Sequence, residues 1–318
     1  MPRGFPLPAV PADNPMSDAK VALGRRLFFE PRLSVTGRYS CASCHDPARA
    51  FSDGRTVALG ARGDPLPHNA LALVNVAYNV SFGWSKPTVH SLEAQMLEPL
   101  LNEHPVELGL KGREPALCQA LAADRSYAAA FAAVFGAGDA VTLDHIVKAI
   151  AAFERTLLSG GSAFDRYVFA GEHQALPESA KRGMALFFSA RVGCAGCHSG
   201  FNFAGNWRDA QGATGEASFA VDGTSVRALR VPTLRNIALT APYMHDGRFA
   251  TLAAVLEHYS ALGAQAARGR VLDKRLPHTP LSAAERADLS AFLQSLTDAG
   301  FVARYAGADA PLPPADGR

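Results

Sequence analysis

The sequence is poor in cysteine, in tryptophan and in net charge. Five cysteines in 318 residues are too few and too clustered for a disulfide framework. Lys+Arg 31 against Asp+Glu 29 leaves a net charge of only +2. That excludes the strong electrostatic footprint of a nucleic-acid binder and supplies no basic patch for a membrane surface. No apolar run approaches the roughly 18 residues of a membrane span, so no membrane span is expected. Hydrophobic residues at 48% and charged residues at 19% exclude disorder as the general state. At roughly 150 residues per domain, the length suggests two domains, each able to bury a core.

Four of the five cysteines fall in two frames, Cys41-Ala42-Ser43-Cys44-His45 and Cys194-Ala195-Gly196-Cys197-His198. This is the C-x-x-C-H signature of covalent haem c attachment; one chance match is expected on the order of 0.003 times in such a chain. Each frame offers two thioether sulfurs and one axial imidazole, so His45 and His198 read as proximal iron ligands. Two covalent haem c groups are therefore expected. Haem c is attached outside the cytoplasm, which implies a periplasmic protein. The N-terminus Met1-Pro2-Arg3-Gly4-Phe5-Pro6 has no apolar core of a signal peptide, so the chain reads as the mature part. Cys118 is left over and reads as a small apolar residue in an Ala-rich helix.

The pattern is mainly α, with long loops to wrap the haems. Residues 1–15 hold five prolines and read as an extended arm. Ser17 reads as the N-cap of a helix running to about Phe29, stopped by Pro31. Residues 46–90 read as loops. Further helices are predicted over 91–101, 114–135, 142–158 and 178–190, over a stripe from Leu252 to Leu262 closed by Gly263, and from Ser282 to about Leu296. Ser282 and Glu285 form a capping box there, with Leu281 as its staple. No convincing run of alternating strands is seen. Gly24-Arg25-Arg26-Leu27-Phe28-Phe29 before the first haem motif repeats as Gly183-Met184-Ala185-Leu186-Phe187-Phe188 before the second. This implies two related cytochrome c-like haem domains, 16–165 and 166–300, with a tail over 301–318.

Several segments resemble the bacterial dihaem cytochrome c peroxidase/MauG family. They are 23–28, Ser40 to His45, Ala152-Phe153-Glu154-Arg155-Thr156-Leu157, Val231-Pro232-Thr233-Leu234-Arg235-Asn236 and Thr240-Ala241-Pro242-Tyr243-Met244-His245-Asp246-Gly247. Asp13-Asn14-Pro15-Met16-Ser17, Trp84-Ser85-Lys86-Pro87 and His104-Pro105-Val106-Glu107-Leu108-Gly109 are most similar to the MbnH subgroup. Those enzymes stand beside methanobactin and copper-handling genes, and a known relative oxidises a partner protein's tryptophan to kynurenine.

The resemblance implies roles. Tyr259, fourteen residues after His245, falls where ordinary peroxidases carry an axial Met and MauG a Tyr. It lies on the apolar face of its helix, whereas His258, the alternative, lies about 100° away on the polar side. A phenolate is a hard anionic donor that stabilises oxidised iron. Ala61 falls where family peroxidases carry a loop His that blocks the first iron. The first haem is thus expected open, with His68 as the other residue able to close it. The distal pocket is implied at Gln95, Pro99 and Glu107: Glu107 moves a proton between peroxide oxygens, Gln95 hydrogen-bonds peroxide, and Pro99 adds bulk without ligating. A surface role for Glu107 is the alternative from the bare sequence. Trp84 falls between the haems as an electron relay. Asn69, Thr240 and Pro242 fall where the family holds Ca²⁺. Val192 stands where MauG has a surface tryptophan, which leaves Trp207 as another relay or an ordinary loop aromatic.

These residues imply a dihaem enzyme that forms a high-valent, bis-Fe(IV)-type state with hydrogen peroxide and oxidises a partner protein side chain. The alternatives are a conventional peroxidase fed by a small cytochrome or cupredoxin, and a non-catalytic dihaem carrier or sensor.

Overall fold

The computed structural model describes residues 1–138, 140–205, 207–212, 219–220, 229–266, 276 and 279–306. Along them run helices α1 Asp18–Phe28, α2 Leu92–Leu101, α3 Glu114–Ala123, α4 Arg125–Phe135, α5 Leu143–Glu154, α6 Ala163–Phe169, α7 Glu178–Phe187, α8 Leu252–Ala266, α9 Ala283–Gln294 and α10 Ala299–Tyr305. A two-residue antiparallel ribbon pairs β1 Phe219–Ala220 with β2 Leu229–Arg230. The protein is mainly α. Residues 46–90 hold two single 3₁₀ turns and two isolated β-bridges, Asp46–Ser52 and Leu59–Pro65, and residues 1–15 carry no helix.

Caps set several helix starts. Ser17 accepts from Lys20 N at α1, Ser91 from Ala94 N at α2, and Thr142 from His145 N at α5. At α9, Ser282 and Glu285 close the capping box in both directions. Each cap satisfies donors that the first helical turn leaves without partners.

Four expectations need correction. The stretch 114–135 is two helices, because the Asp124 carboxylate accepts from Ser126 N and Tyr127 N and starts a new helix. The helix expected to end at Gly263 runs through it to Ala266. Gly263 is required for packing instead: a Cβ there would stand 2.4 Å from the Thr279 carbonyl oxygen. Helix α6 runs across the 165/166 division expected between the domains. The first residues of the expected tail are helical, and Phe301 and Tyr305 pack in the core around Phe51 and Phe153. Residues 307–318 lie outside the described residues.

The repeated glycines have one physical cause. A Cβ on Gly24 would lie 1.8 Å from the Ala149 carbonyl oxygen, and one on Gly183 would lie 2.0 Å from that of Asp288. Helix α1 therefore crosses α5, and α7 crosses α9, at a separation only glycine permits. The aromatic partners repeat as well. Phe28 meets Phe51 and Phe153 at centroid distances of 5.8 and 5.3 Å. Phe187 meets Phe203 and Phe292 at 5.8 and 5.1 Å. These clusters are the centres of two separate hydrophobic cores, and each buried Phe contributes about 1.5–3 kcal/mol.

A polar seam joins the halves with the same symmetry. Asn75 and Asn236 both adopt left-handed backbone, φ 59° and 58°, which Asn tolerates. Their backbone N–H groups donate to Leu157 O and Leu296 O. Their side-chain oxygens accept from Ser159 N and Asp298 N at 2.8 and 2.7 Å. Asp298 Oδ2 in turn accepts from Ser159 Oγ, Gly160 N and Gly161 N.

Candidate haem sites and the pocket between them

Each C-x-x-C-H frame forms a single 3₁₀ turn, Cys41–Ser43 and Cys194–Gly196. His45 Nδ1 lies 2.9 Å from Phe51 O, and His198 Nδ1 lies 3.1 Å from Phe203 O and 3.2 Å from Pro232 O. Facing a carbonyl, Nδ1 carries the proton, and Nε2 is left as a lone-pair donor. Burial also pushes both imidazoles down in pKa, so the neutral, ligating form prevails. Phe51 and Phe203 hold these carbonyls in place with φ of 61° and 48°, a left-handed conformation that costs an aromatic residue on the order of 1 kcal/mol. That cost recurs at the same place in both halves, where it aims a carbonyl at a histidine.

Beside the second frame is a cavity of about 250 Å³. Cys194, Cys197, His198 and Tyr259 share its wall with apolar groups such as Phe187 and Leu293. An apolar cavity with two sulfurs, an imidazole and a phenol fits a covalently tethered haem. His258 does not line it; that ring packs on Phe249 at 5.2 Å. Val192 is buried in the same wall. Trp207 is not part of it; its ring meets Phe201 at 5.2 Å, and its Nε1 is buried without a hydrogen bond to any described residue.

Trp84, Asn69, Thr240 and Pro242 line this cavity too. Trp84 Nε1 donates to Asn69 O at 2.9 Å. Asn69 Nδ2 donates to Met244 O at 2.7 Å and to Pro242 O at 3.4 Å, while its Oδ1 is buried with no partner among the described residues. The rings of His68, Trp84 and His245 form a triangle with centroid separations of 5.4, 6.0 and 6.4 Å. His68 thus belongs to the group around Trp84, where burial, aided by His245, keeps its imidazole low in pKa.

The distal residues expected for the first frame are drawn together by α2 and the turn after it. Gln95 and Pro99 lie one turn apart on α2. Pro99 has no N–H to give the Gln95 carbonyl. Leu108 N donates back to Pro99 O, which returns the chain carrying Glu107 over the helix. Ala61 N donates to Glu107 O, and a Cβ on Gly60 would stand 2.1 Å from Val106 O. The same loop reaches the attachment frame, with Leu59 O 3.8 Å from Cys44 Sγ. Ala61, Glu107 and Cys44 are therefore neighbours, and at position 61 the chain presents only a buried methyl. Burial first, then the Glu98 carboxylate, pushes the Glu107 carboxyl up, against the pull of Lys86. Lys86 Nζ and Glu98 Oε2 pair at 2.7 Å.

Two groups near the frames were given no role from the sequence, although Glu154 stands in the 152–157 motif. Glu154, the last residue of α5, is buried beside Cys41 and pushed up to about 8 by desolvation. Arg230, at the end of β2, lines the second cavity. Met244 shares that wall.

The di-haem cytochrome c peroxidase family matches residues 18–174. The chain is 38% identical over 293 residues to the methylamine utilization protein MauG of Methylorubrum extorquens, across 90% of this chain and 80% of that protein. To the cytochrome c551 peroxidase of Nitrosomonas europaea it is 34% identical over 262 residues, across 79% and 76%. A solved MauG-like protein associated with microbial copper homeostasis superposes with a TM-score of 0.88 at 34% identity, across 97% and 98% of the two chains. The diheme peroxidase BthA of Burkholderia thailandensis gives 0.71 at 26%, across 98% and 96%. No helix among the described residues is long and apolar enough to cross a membrane. With two haem-attachment frames, two repeated helical cores and these relatives, the chain belongs to the di-haem cytochrome c peroxidase/MauG family, as a peroxidase-type oxidoreductase with two haems in cytochrome c-like domains.

Proposed function

We propose that this protein takes two oxidising equivalents from hydrogen peroxide at the His45 site, shares them with the His198 site through Trp84, and delivers them to a side chain of a partner protein, such as a tryptophan taken to kynurenine. One pairing carries the reading: a methyl at Ala61 beside Glu107, and a tyrosine, Tyr259, in the wall that holds His198. An open first site admits peroxide without prior reduction. A phenolate donor at the second favours the more oxidised iron.

The cysteine pairs would anchor the haems, with His45 and His198 as imidazole donors to the two irons and Tyr259 as a phenolate donor at the second. When bound, the haems supply the iron that binds peroxide and stores the oxidising equivalents. The Glu107 carboxylate would accept a proton from one peroxide oxygen and pass it to the other. Gln95 orients peroxide by hydrogen bonding without titrating. Pro99 fills space beside the iron and offers no ligand. Trp84 lies in the wall of the second cavity, its indole fixed by Asn69 O, which suits it to relay an electron.

Asn69, with the carbonyls of Thr240 and Pro242, would hold Ca²⁺ between the halves. The buried, unpartnered Oδ1 of Asn69 is an oxygen donor suited to that ion. Covalent haem attachment supports a periplasmic location. The structural relative tied to copper homeostasis supports a copper-handling setting.

The conventional reading, peroxide reduction with electrons from a small cytochrome or cupredoxin, is favoured by the similarity to cytochrome c551 peroxidase. One experiment separates them. The holoenzyme and peroxide are incubated with a tryptophan-bearing candidate partner protein, or with a reduced small cytochrome. A mass change confined to a tryptophan, with slow cytochrome oxidation, is expected. Fast cytochrome oxidation with an unchanged partner mass would establish the conventional enzyme.

A further inference from the structure

Among the described residues three arginine side chains are almost fully buried, and two have an acid. Arg235 Nη1 meets Asp165 Oδ2 at 2.8 Å, and Arg155 Nη2 meets Glu93 Oε1 at 2.8 Å. Arg230, 6% exposed, has none among the described residues. Its backbone N–H donates to Trp84 O at 2.8 Å and its Nε to Gly83 O at 3.1 Å. Burial alone pushes its pKa down to about 10. A guanidinium keeps its charge at that value, and an uncompensated buried charge is strongly unfavourable.

Arg230 lines the cavity that holds Cys194, Cys197, His198 and Tyr259, and no Asp or Glu among the described residues lines it. The charge therefore faces a space whose described walls carry no anion. A haem brings two propionate carboxylates, and a planar guanidinium fork matches a carboxylate with two parallel N–H···O bonds.

We propose that Arg230 receives a propionate of the haem attached at Cys194 and Cys197. The two backbone contacts make it a positioning residue. The arginine that grips the haem edge is itself fastened to Gly83 and Trp84, so seating the haem sets its position against the Trp84 relay. The pairing also keeps the propionate ionised and neutralised beside the iron. The inference does not depend on where the oxidising equivalents are delivered.

The test uses the holoenzyme and the variants Arg230→Gln and Arg230→Lys, each checked for two haems by mass. Spectroelectrochemistry reads the potential of each haem against pH, and resonance Raman reads the propionate bending modes. In R230Q the second haem's potential is expected to move to a more negative value, since a positive charge near the reducible iron is lost, and to acquire a pH dependence as the freed propionate titrates. The first haem's potential stays put. R230K keeps the charge but loses the fork, so its potential remains near the native one while a propionate mode shifts. An R230Q enzyme with unchanged second-haem potential and pH dependence overturns the proposal, as does a shift confined to the first haem. If R230Q does not load haem, R230K decides: an unmoved propionate mode overturns it.

Discussion

Glu107 and Glu154 are carboxyl groups that burial pushes upward, and their consequences differ. A base that shuttles the peroxide proton acts in its ionised form, so its raised value sets the acid limb of the pH profile. Glu107→Gln is expected to slow peroxide-driven turnover by about 10²–10⁴-fold while the haem spectra stay unchanged; loss of under tenfold in rapid-mixing kinetics would remove it from the proposed role. Glu98 is the like charge that adds to the shift, so Glu98→Gln should move the acid limb of kcat/KM to lower pH. Glu154 bears on stability. Its folded value is about 8 against an ordinary 4.5, so between those pH values the folded state binds more protons than the unfolded one. Stability then falls as pH rises through that window. Denaturant midpoints at pH 5 and pH 8 should show that decline, by about 1–4 kcal/mol, and Glu154→Gln should flatten it; an equal slope in the variant would contradict the assignment. At this scale the sequence was legible where the signal is local. The attachment frames are five-residue motifs. The Phe51 and Phe203 carbonyls and Arg230, which has no acid partner among the described residues, depend on what distant segments place around them, which no local pattern encodes.

Helices were legible from caps and periodicity, and their ends less so. Ser17 and Ser282 cap where their spacing predicts. Asp124 broke a continuous Ala-rich stretch because a carboxylate that caps from inside a run reads as just another polar residue. Gly263 misled because glycine serves equally as a helix stop and as a contact point, and only the Thr279 carbonyl 2.4 Å from its missing Cβ distinguishes the two. Gly24 and Gly183 were read as parts of a repeat, and the structure supplies the reason for them. Gly24→Ala and Gly183→Ala should each cost about 1–3 kcal/mol by forcing the crossing helices apart. Gly196→Ala, with open space at its Cβ, should stay within about 0.5 kcal/mol. Chemical denaturation of the three holoenzymes checks the order; equal losses would show that helix crossing is not what glycine provides.

Across the whole molecule, two similar halves meet at the Asn75–Ser159–Asp298–Asn236 seam, and the Trp84 group lies beside the second cavity. The repeat of Leu-Phe-Phe before each haem frame made the duplication legible. The seam was not, because its members are scattered polar loop residues whose symmetry exists only after folding. The proposed Ca²⁺ at Asn69 belongs to this scale. Chelation, or Asn69→Ala, is expected to leave both haems attached but weaken their electronic communication, read as loss of the concerted response of both irons to peroxide; an unchanged response after verified metal removal would contradict that role.

The central claim is an open first haem working in concert with a Tyr259-ligated second. Electron paramagnetic resonance of the ferric holoenzyme, before and after one equivalent of peroxide without any electron donor, tests it most directly. The account predicts one high-spin and one low-spin signal at rest, both lost together on peroxide addition and slow to return. Two low-spin signals at rest, or loss of the high-spin signal alone, would contradict it.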